Sequence, residues 1–425
     1  MINELISYTK ENFEIKKIKG SFEVYDVHDK NIPPFLDGQS SKRKYVICTD
    51  ASDEESEKNL KSFLRKDIIR LYDHLIWFEG DPLDSPVTIK VEINKLKKHI
   101  ELPKWLDNYI FNTCQATCQK DNTVSSNKNN SHKKNLNYLG TYFPRSFAES
   151  YCICENILSC KAINSKFHEK KSLKVLSVGC GTGGDAIGII QIAKKMLPKL
   201  EEIELVAIDI NTDATSILEK IIEKVEESLK IKITTTFLYC DFIKKGFNID
   251  KIDDKSFDII ITSKMINELI SEQPDIPYYY DFLSSYGELL SEDGFLIISD
   301  ITIYSAETRY WYPELLNKQV NQFLSNNKNN YSCLIPICCG STYCKCSRCY
   351  SQVIFYVSHS KKRINESKIA YKVIVRKTFY DQIGLDIKNV SYKISNTENY
   401  CKNNNNLLTN KTVDAFDITN GFINK

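Results

Sequence analysis

Between Lys174 and Ile301 the chain alternates short apolar runs with stretches of helical periodicity, and no other feature limits its possible folds so strongly. "KVLSVG" reads as a buried strand and "GDAIGIIQIAKKML" (184–197) as a helix. "IELVAID" (203–209), "KITTTFLYCD" (232–241), "FDIIITSK" (257–264) and "GFLIISDI" (294–301) read as further strands. Helical "DATSILEKIIEKVEESL" (213–229) and "YYYDFLSSYGELL" (278–290) fall among them, and "SFAESYCICENIL" (146–158) precedes them. Such alternation predicts an α/β fold with a parallel sheet covered by helices on both faces. "SQVIFYVSH" (351–359) and "AYKVIVRKTF" (370–379), joined by a short charged connection, predict a closing antiparallel hairpin.

The chain has 425 residues, too long for one ordinary domain core, so one large domain with additions or two to three domains is expected. Residues 1–122 read as a mixed α/β region. There "ESEKNLKSFLRKDIIRLYDHLIWF" (55–78) sets Leu60, Phe63, Leu64, Ile68, Ile69 and Leu71 on one helical stripe, and "VTIKVEI" (87–93) alternates like a strand. The polar tract 123–137 reads as a linker, 138–380 as the α/β domain, and 381–425 as an Asn/Lys-rich tail. A net charge of +2 creates no global field to recruit nucleic acid or an anionic membrane. No apolar stretch approaches the length of a membrane span, and the first residues lack the apolar core and cleavage site of a signal peptide. A reducing, cytoplasmic setting is therefore expected, with the fifteen cysteines as thiols or metal ligands.

Ligands of open parallel sheets bind beyond the carboxyl ends of the strands. Gly179, Gly181 and Gly183 lie there, after the first strand, where glycine permits positive φ and a close approach to the backbone. The glycines alone are ambiguous, because Gly179, Gly181 and Gly184 also satisfy the G-x-G-x-x-G spacing of dinucleotide sites. The next strand ends in Asp209, placed to accept from two ribose hydroxyls, with Ile210 after it. The third ends in Asp241, placed to receive the exocyclic amino group of adenine. Together they describe an adenosine pocket that needs no pyrophosphate.

At "VLSVGCGTG", "VAIDIN", "YCDF", "FDIIITSKMINEL" and "LLSEDGFLIISD" the chain resembles the class I S-adenosylmethionine-dependent methyltransferases, in family order over about residues 170–301. The resemblance implies a Rossmann-like, seven-stranded sheet whose last two strands form an antiparallel hairpin, and in this sequence the Cys-rich stretch 333–349 falls as an insertion before them. It implies that Gly179, Cys180, Gly181 and Gly183 face the methionine part of the cofactor, Asp209 its ribose, and Asp241 with Phe242 its adenine. Tyr142 and Arg145, ahead of the first strand, are placed to reach the ligand, Arg145 by pairing with a carboxylate. After the fourth strand Ser263, Asn267 and Glu268 lie where the transferable methyl would be. Asn267 and Glu268 are the catalytic candidates, able to orient an amine or hydroxyl nucleophile or to accept its proton.

"CLIPICCGSTYCKCSRCYSQ" (333–352) holds six of the fifteen cysteines. Cys344, Cys346 and Cys349 form C-x-C-x-x-C, and Cys338 lies upstream; four thiolates so spaced suit one tetrahedral zinc or an iron–sulfur cluster. This neighbourhood is similar to the methyltransferase-like small-ribosomal-subunit assembly family, although that family's Pro-His signature is absent. Methyl transfer to a small molecule, protein or RNA is the leading expectation. A catalytically weak RNA- or ribosome-binding factor with a cysteine metal site is the alternative. A nicotinamide-dependent oxidoreductase is disfavoured, because no second Rossmann half or hydride-site histidine is evident.

Overall fold

Each apolar run from Ser172 to Ile301 becomes a strand of one sheet in the protein's structure, a computed structural model. Residues 99–118, 131–247, 252, 256–335 and 351–383 are described, with four strands ahead of them. Those are β1 (Phe13–Ile18), β2 (Ser21–Asp26), β3 (Ile68–Tyr72) and β4 (Leu75–Phe78). The chain divides into two units, Met1–Lys95 and Leu96–Lys425.

In the first unit β1 pairs with β2 and β3 with β4, both antiparallel. Residues 68–72 and 75–78 are therefore strands, where the apolar stripe predicted a helix. The β-branched and aromatic content of "IIRLY" and "LIWF" suits a pleated surface and outweighs a stripe that fits either period. The remainder of the expected helix, 55–67, and the expected strand 87–93 lie outside the described residues.

The second unit holds β5 (His99–Glu101), β6 (Ser172–Val178), β7 (Glu202–Asp209), β8 (Lys232–Tyr239), β9 (Phe257–Ser263) and β10 (Leu290–Ile301). After a two-residue pairing of β11 (Tyr304–Ser305) with β12 (Tyr310–Trp311) come β13 (Tyr331–Ile335), β14 (Ser351–His359) and β15 (Lys362–Arg376). Sheet order is β5-β14-β15-β10-β9-β6-β7-β8, with β13 also paired to β15. Strands β6 to β10 pair in parallel, and β15 runs antiparallel to both β10 and β14. This is a Rossmann-like sheet of seven strands closed by a hairpin, extended by β5 and β13. The last strand starts at Lys362, eight residues before the expected Ala370, because its charged side chains do not prevent backbone pairing with β14 (Lys362↔His359). Lys377, Thr378 and Phe379, expected in that strand, instead open a helix that runs Lys377–Gln382.

Among the described residues the α-helices are α1 (Lys104–Asn108), α2 (His132–Thr141), α3 (Phe143–Ser159), α4 (Lys161–Phe167), α5 (Gly184–Met196), α6 (Thr212–Leu229), α7 (Phe242–Lys245), α8 (Ile266–Glu272), α9 (Tyr278–Tyr286), α10 (Tyr312–Asn326) and α11 (Lys377–Gln382). Residues 132–137 of the expected linker are thus helical, and the unit begins near Leu96, not at 138, because β5 adds to the sheet beside β14. Alternation along the central strands feeds both faces. Val175, Leu205 and Ile259 join one core, and Leu176, Val206 and Ile260 the other. Each such side chain contributes about 1.5–3 kcal/mol by leaving water. α6 shows the local logic: Asn211 caps it by accepting from Ala214 N–H at 3.0 Å, and Ile217, Leu218, Ile221, Ile222 and Val225 form its buried stripe.

Two glycines set how close α3 can come to α5. A Cβ on Gly184 would lie 2.5 Å from the Phe143 carbonyl oxygen, and one on Gly188 would lie 2.5 Å from that of Phe147. Their spacing of four puts both on one face of α5. Gly184, which completed the dinucleotide spacing in the sequence, is thereby explained by helix packing. The close crossing carries Arg145 and Glu149 of α3 towards the carboxyl ends of the strands.

Candidate functional site

Those carboxyl ends open into a cleft of about 1190 Å³. β6 ends at Val178, and the backbone turns through Gly179 and Gly181 at φ +70° and +50°. A side chain at Gly179 would collide with Met265, since its Cβ would sit 2.4 Å from Met265 Cγ. In front of Gly181 there is nothing within 4 Å, so a ligand can meet the backbone there. Cys180 between them is buried and also borders the cleft, and burial pushes its thiol well above the ordinary range. Gly183 differs from expectation. It ends the turn at φ +82° against α6, where a Cβ would lie 2.2 Å from Leu218 Cδ1, and Gly184 borders the cleft in its place.

Asp209 closes the turn from the neighbouring strand. Its Oδ2 accepts from Gly181 N–H at 2.7 Å and its Oδ1 from Asn211 N–H at 2.8 Å. Burial raises its pKa while these N–H groups oppose the rise. Ile210 borders the cleft beside it. Asn211 also exchanges side-chain hydrogen bonds with Asn135 of α2, at 3.0 and 3.1 Å, which ties α2 to this end of the cleft. At the end of β8, Asp241 caps α7 by accepting from Ile243 N–H (3.2 Å) and pairs with Lys244 at 3.1 Å. It and Phe242 border the cleft, with the Phe242 ring 5.3 Å from that of Phe247.

The far wall begins at Ser263, whose Oγ accepts from Ser299 Oγ at 3.1 Å. Asn267 and Glu268 follow in the first turn of α8 and border the cleft. Their position is set from below by Asp300, fully buried near the end of β10. Its Oδ2 accepts from Asn267 N–H at 2.9 Å and from Tyr279 Oη at 2.8 Å. Burial pushes the Asp300 carboxyl up to about 7, against the hydrogen bonds from Tyr279, Ile301 and Asn267. Above, Tyr138 of α2 donates to Glu268 Oε1 at 3.4 Å. Burial, then the Glu268 charge, raises the Tyr138 phenol. α2 therefore bridges the cleft from Asn211 to Glu268. Arg145 lies 5% exposed on the wall, its Nε donating to Asn365 Oδ1 at 2.9 Å and its guanidinium 5.8 Å from the Tyr142 ring centroid.

All the expected cofactor and catalytic residues except Gly183 thus border one cleft. Sequence reasoning missed Asn135, Asp300 and the ion pair of Glu149 with Lys264. Asp300 had a usable signal, an acidic residue ending a buried strand, as at Asp209. The others had none, because their partners are distant in sequence. The expected metal ligands Cys338, Cys344, Cys346 and Cys349 lie outside the described residues. Among the described residues no cluster of three or more His, Cys, Asp or Glu side chains is arranged to hold a metal, and no helix is long and apolar enough to cross a membrane.

Sheet order, closing hairpin, glycine turn and the acidic ends of β7 and β8 together define the class I S-adenosylmethionine-dependent methyltransferases. Residues 169–377 match the family described as "Methyltransferase domain". No match is found among curated proteins. Solved structures that it is similar to include the plantazolicin methyltransferase BpumL in complex with SAH, at 15% identity and a TM-score of 0.31, covering 64% of this chain and 94% of that one. Another is the arsenic(III) S-adenosylmethionine methyltransferase CrArsM of Chlamydomonas reinhardtii (18%, TM-score 0.28, 47% of this chain and 62% of that one). A third is MNMC2 of Aquifex aeolicus (16%, TM-score 0.28, 53% of this chain and 60% of that one). At these values the likenesses carry no information on the methyl acceptor.

Proposed function

We propose that the protein binds S-adenosylmethionine along the cleft and transfers its methyl group to an acceptor held between α2 and α8. The reading rests on the cleft joining the open backbone of Gly181 and the Asp209 carboxylate to Asn267 and Glu268 without a break. The residues fit the cofactor: Gly181 leaves room for it, Asp209 is an acceptor for its ribose, and Asp241, Phe242 and Ile210 form the adenine end. When bound, the cofactor supplies a methyl already activated on a sulfonium, so the protein's tasks are positioning and proton transfer. Glu268 is the base for the acceptor's proton, and Tyr138 holds its carboxylate by donating to Oε1. Asn267, anchored through its backbone to Asp300, orients the nucleophile.

Calorimetry with S-adenosylhomocysteine and NAD tests the reading. Micromolar binding of the first and none of the second is expected; binding of NAD alone would sink it.

The acceptor class is open to a small molecule, a protein or RNA. From their spacing alone, Cys338, Cys344, Cys346 and Cys349 are assigned to zinc or an iron–sulfur centre. Elemental analysis and the visible spectrum of anaerobically purified protein test this, and less than roughly a tenth of an equivalent of metal refutes it.

A further inference from the structure

Three buried polar side chains beside the cleft form a chain that the reading above does not use: Arg145 of α3, Asn365 of β15 and His359 of β14. Arg145 Nε donates to Asn365 Oδ1 at 2.9 Å, and Asn365 Nδ2 lies 3.2 Å from His359 Nε2. A guanidinium has only donors, so the amide must turn its oxygen to Arg145 and its nitrogen to the imidazole. His359 Nε2 is then an acceptor, and the ring is the neutral tautomer protonated at Nδ1. Burial agrees, lowering the His359 pKa to about 4. Phe111 fixes the plane of the ring, stacked on it at 4.9 Å and 11°. Each member of the chain thus holds the next in one orientation, and the last is Arg145.

Stability does not account for this chain. Apolar residues would fill the same space at less cost, and the buried His359 Nδ1 has no hydrogen-bond partner among the described residues. What the chain secures is a guanidinium oriented by a neutral amide, which does not cancel its charge. Arg145 borders the cleft with Lys368, half-buried on β15, and with the hydroxyl residues Ser146, Thr302 and Ser367. Burial lowers the pKa of both cations; Glu149 and then the exposed Glu366 oppose this at Arg145, and Glu366 at Lys368. Two cations beside hydroxyl donors suit a carboxylate or a phosphate.

Sheet order says which ligand that is. The glycine turn, Asp209 and Asp241 lie at the ends of β6, β7 and β8, whereas from β6 the other way the order runs β9, β10, β15. At about 4.8 Å between neighbours, β15 stands roughly 14 Å from β6 and roughly 10 Å from β9, which leads into Asn267 and Glu268. Arg145, tied to β15, therefore faces the far side of the nucleophile from the cofactor. The cleft, about 1190 Å³, exceeds the roughly 300–1,000 Å³ of one small-molecule site and leaves room for a second ligand. Glu268, Glu272 and Glu366 border the same end and oppose a polyanion. We infer that the methyl acceptor is a small molecule with one anionic group, a carboxylate or a phosphate monoester, received by Arg145 and Lys368. Asn365 and His359 are the positioning residues that hold Arg145 for it. Arg145, expected from the sequence to pair with a ligand's carboxylate, meets the acceptor in this arrangement and not the cofactor. The inference rests on the methyltransferase reading and adds to it the chemical class of the acceptor.

The test uses the full chain, labelled with ¹⁵N-arginine and saturated with S-adenosylhomocysteine. It follows the Arg145 Nε–H signal by NMR, assigned by its absence in Arg145→Gln. Acetate and inorganic phosphate are titrated separately, with sodium chloride of equal ionic strength as control. A saturable shift with acetate or phosphate and none with chloride is expected, and the tighter anion names the acceptor's group. Lys368→Gln should weaken that binding about fivefold, as loss of a half-buried charged donor requires. His359→Met should weaken it too and move the Arg145 signal before any anion is added, while S-adenosylhomocysteine binds as in wild type. His359→Gln, whose side-chain oxygen accepts from Asn365, should restore both; equal behaviour of the two variants overturns the positioning role. Where His359→Met fails to fold, Lys368→Gln decides, and an unchanged anion affinity there overturns the inference. Absence of any saturable shift overturns it and leaves the methyltransferase reading standing. So does a shift seen only without S-adenosylhomocysteine, which returns Arg145 to the cofactor's carboxylate. A wild type that does not bind S-adenosylhomocysteine removes that reading, and this inference with it.

Discussion

Asp209 accepts hydrogen bonds from two backbone N–H groups at the mouth of the cleft. It holds the turn through Gly181 N–H and stands at the end of β7, where the proposed function sets the ribose. Asp209→Ala should weaken S-adenosylhomocysteine binding by about 1–3 kcal/mol, measured by calorimetry, because a charged acceptor is lost to both turn and ligand. Asp300 makes a different prediction. Its folded pKa, about 7, exceeds the ordinary aspartate value, so the folded state binds its proton more tightly than the unfolded state does. The stability that this proton contributes is complete below the unfolded value and lost as pH rises to about 7. The stability of wild type relative to Asp300→Asn should accordingly fall between pH 4 and 7 and then level off, as read by urea unfolding at each pH. A flat difference would show that Asp300 is ionised throughout.

Among elements, the crossing of α3 over α5 decides the shape of the cleft. Alanine is a better helix former than glycine by roughly 1 kcal/mol, so propensity alone predicts that Gly188→Ala stabilises α5. Packing predicts the opposite sign, because the new Cβ would meet Ser150 Oγ at 2.2 Å and the Phe147 carbonyl oxygen at 2.5 Å. Overpacking of this kind costs about 1–3 kcal/mol, so a net loss in thermal unfolding is expected. A raised Tm would mean that the helices are not held together there. α2 offers a second test. Tyr138→Phe removes the hydroxyl that restrains Glu268 while keeping the ring, so methyl transfer should slow with little change in S-adenosylhomocysteine affinity.

Over the whole molecule, the hairpin β14–β15 completes the sheet that supports the cleft. β15 pairs with β10 from Phe295↔Val375 to Ile301↔Ile369, and its apolar side chains enter both cores. A chain ending near Ile303 would expose β10 as a long apolar edge and should fail to fold cooperatively. A soluble 138–303 fragment that binds S-adenosylhomocysteine would refute this.

The strands β6 to β10 and the helices between them could be read in advance because their signals are local. An apolar run buried on both faces and an amphipathic stripe each follow from a single segment. That Gly181, Asp209 and Asp241 would border one cleft was legible for the same reason, since a parallel sheet gathers the ends of its strands at one edge wherever the chain goes between them. Residues 68–72 and 75–78 were misread because a short apolar run satisfies both the helical and the strand period, and only pairing with another segment decides between them. The polar run that became part of α2 gave no apolar stripe to mark it, and its partners Asn211 and Glu268 lie 76 residues from Asn135 and 130 from Tyr138. Tertiary structure alone brought Glu149 against Lys264, 115 residues apart, and turned Gly183 away from the cleft. Sequence periodicity reports which face of an element is apolar, whereas a buried charge pair depends on which two faces meet, and that follows from how the elements pack.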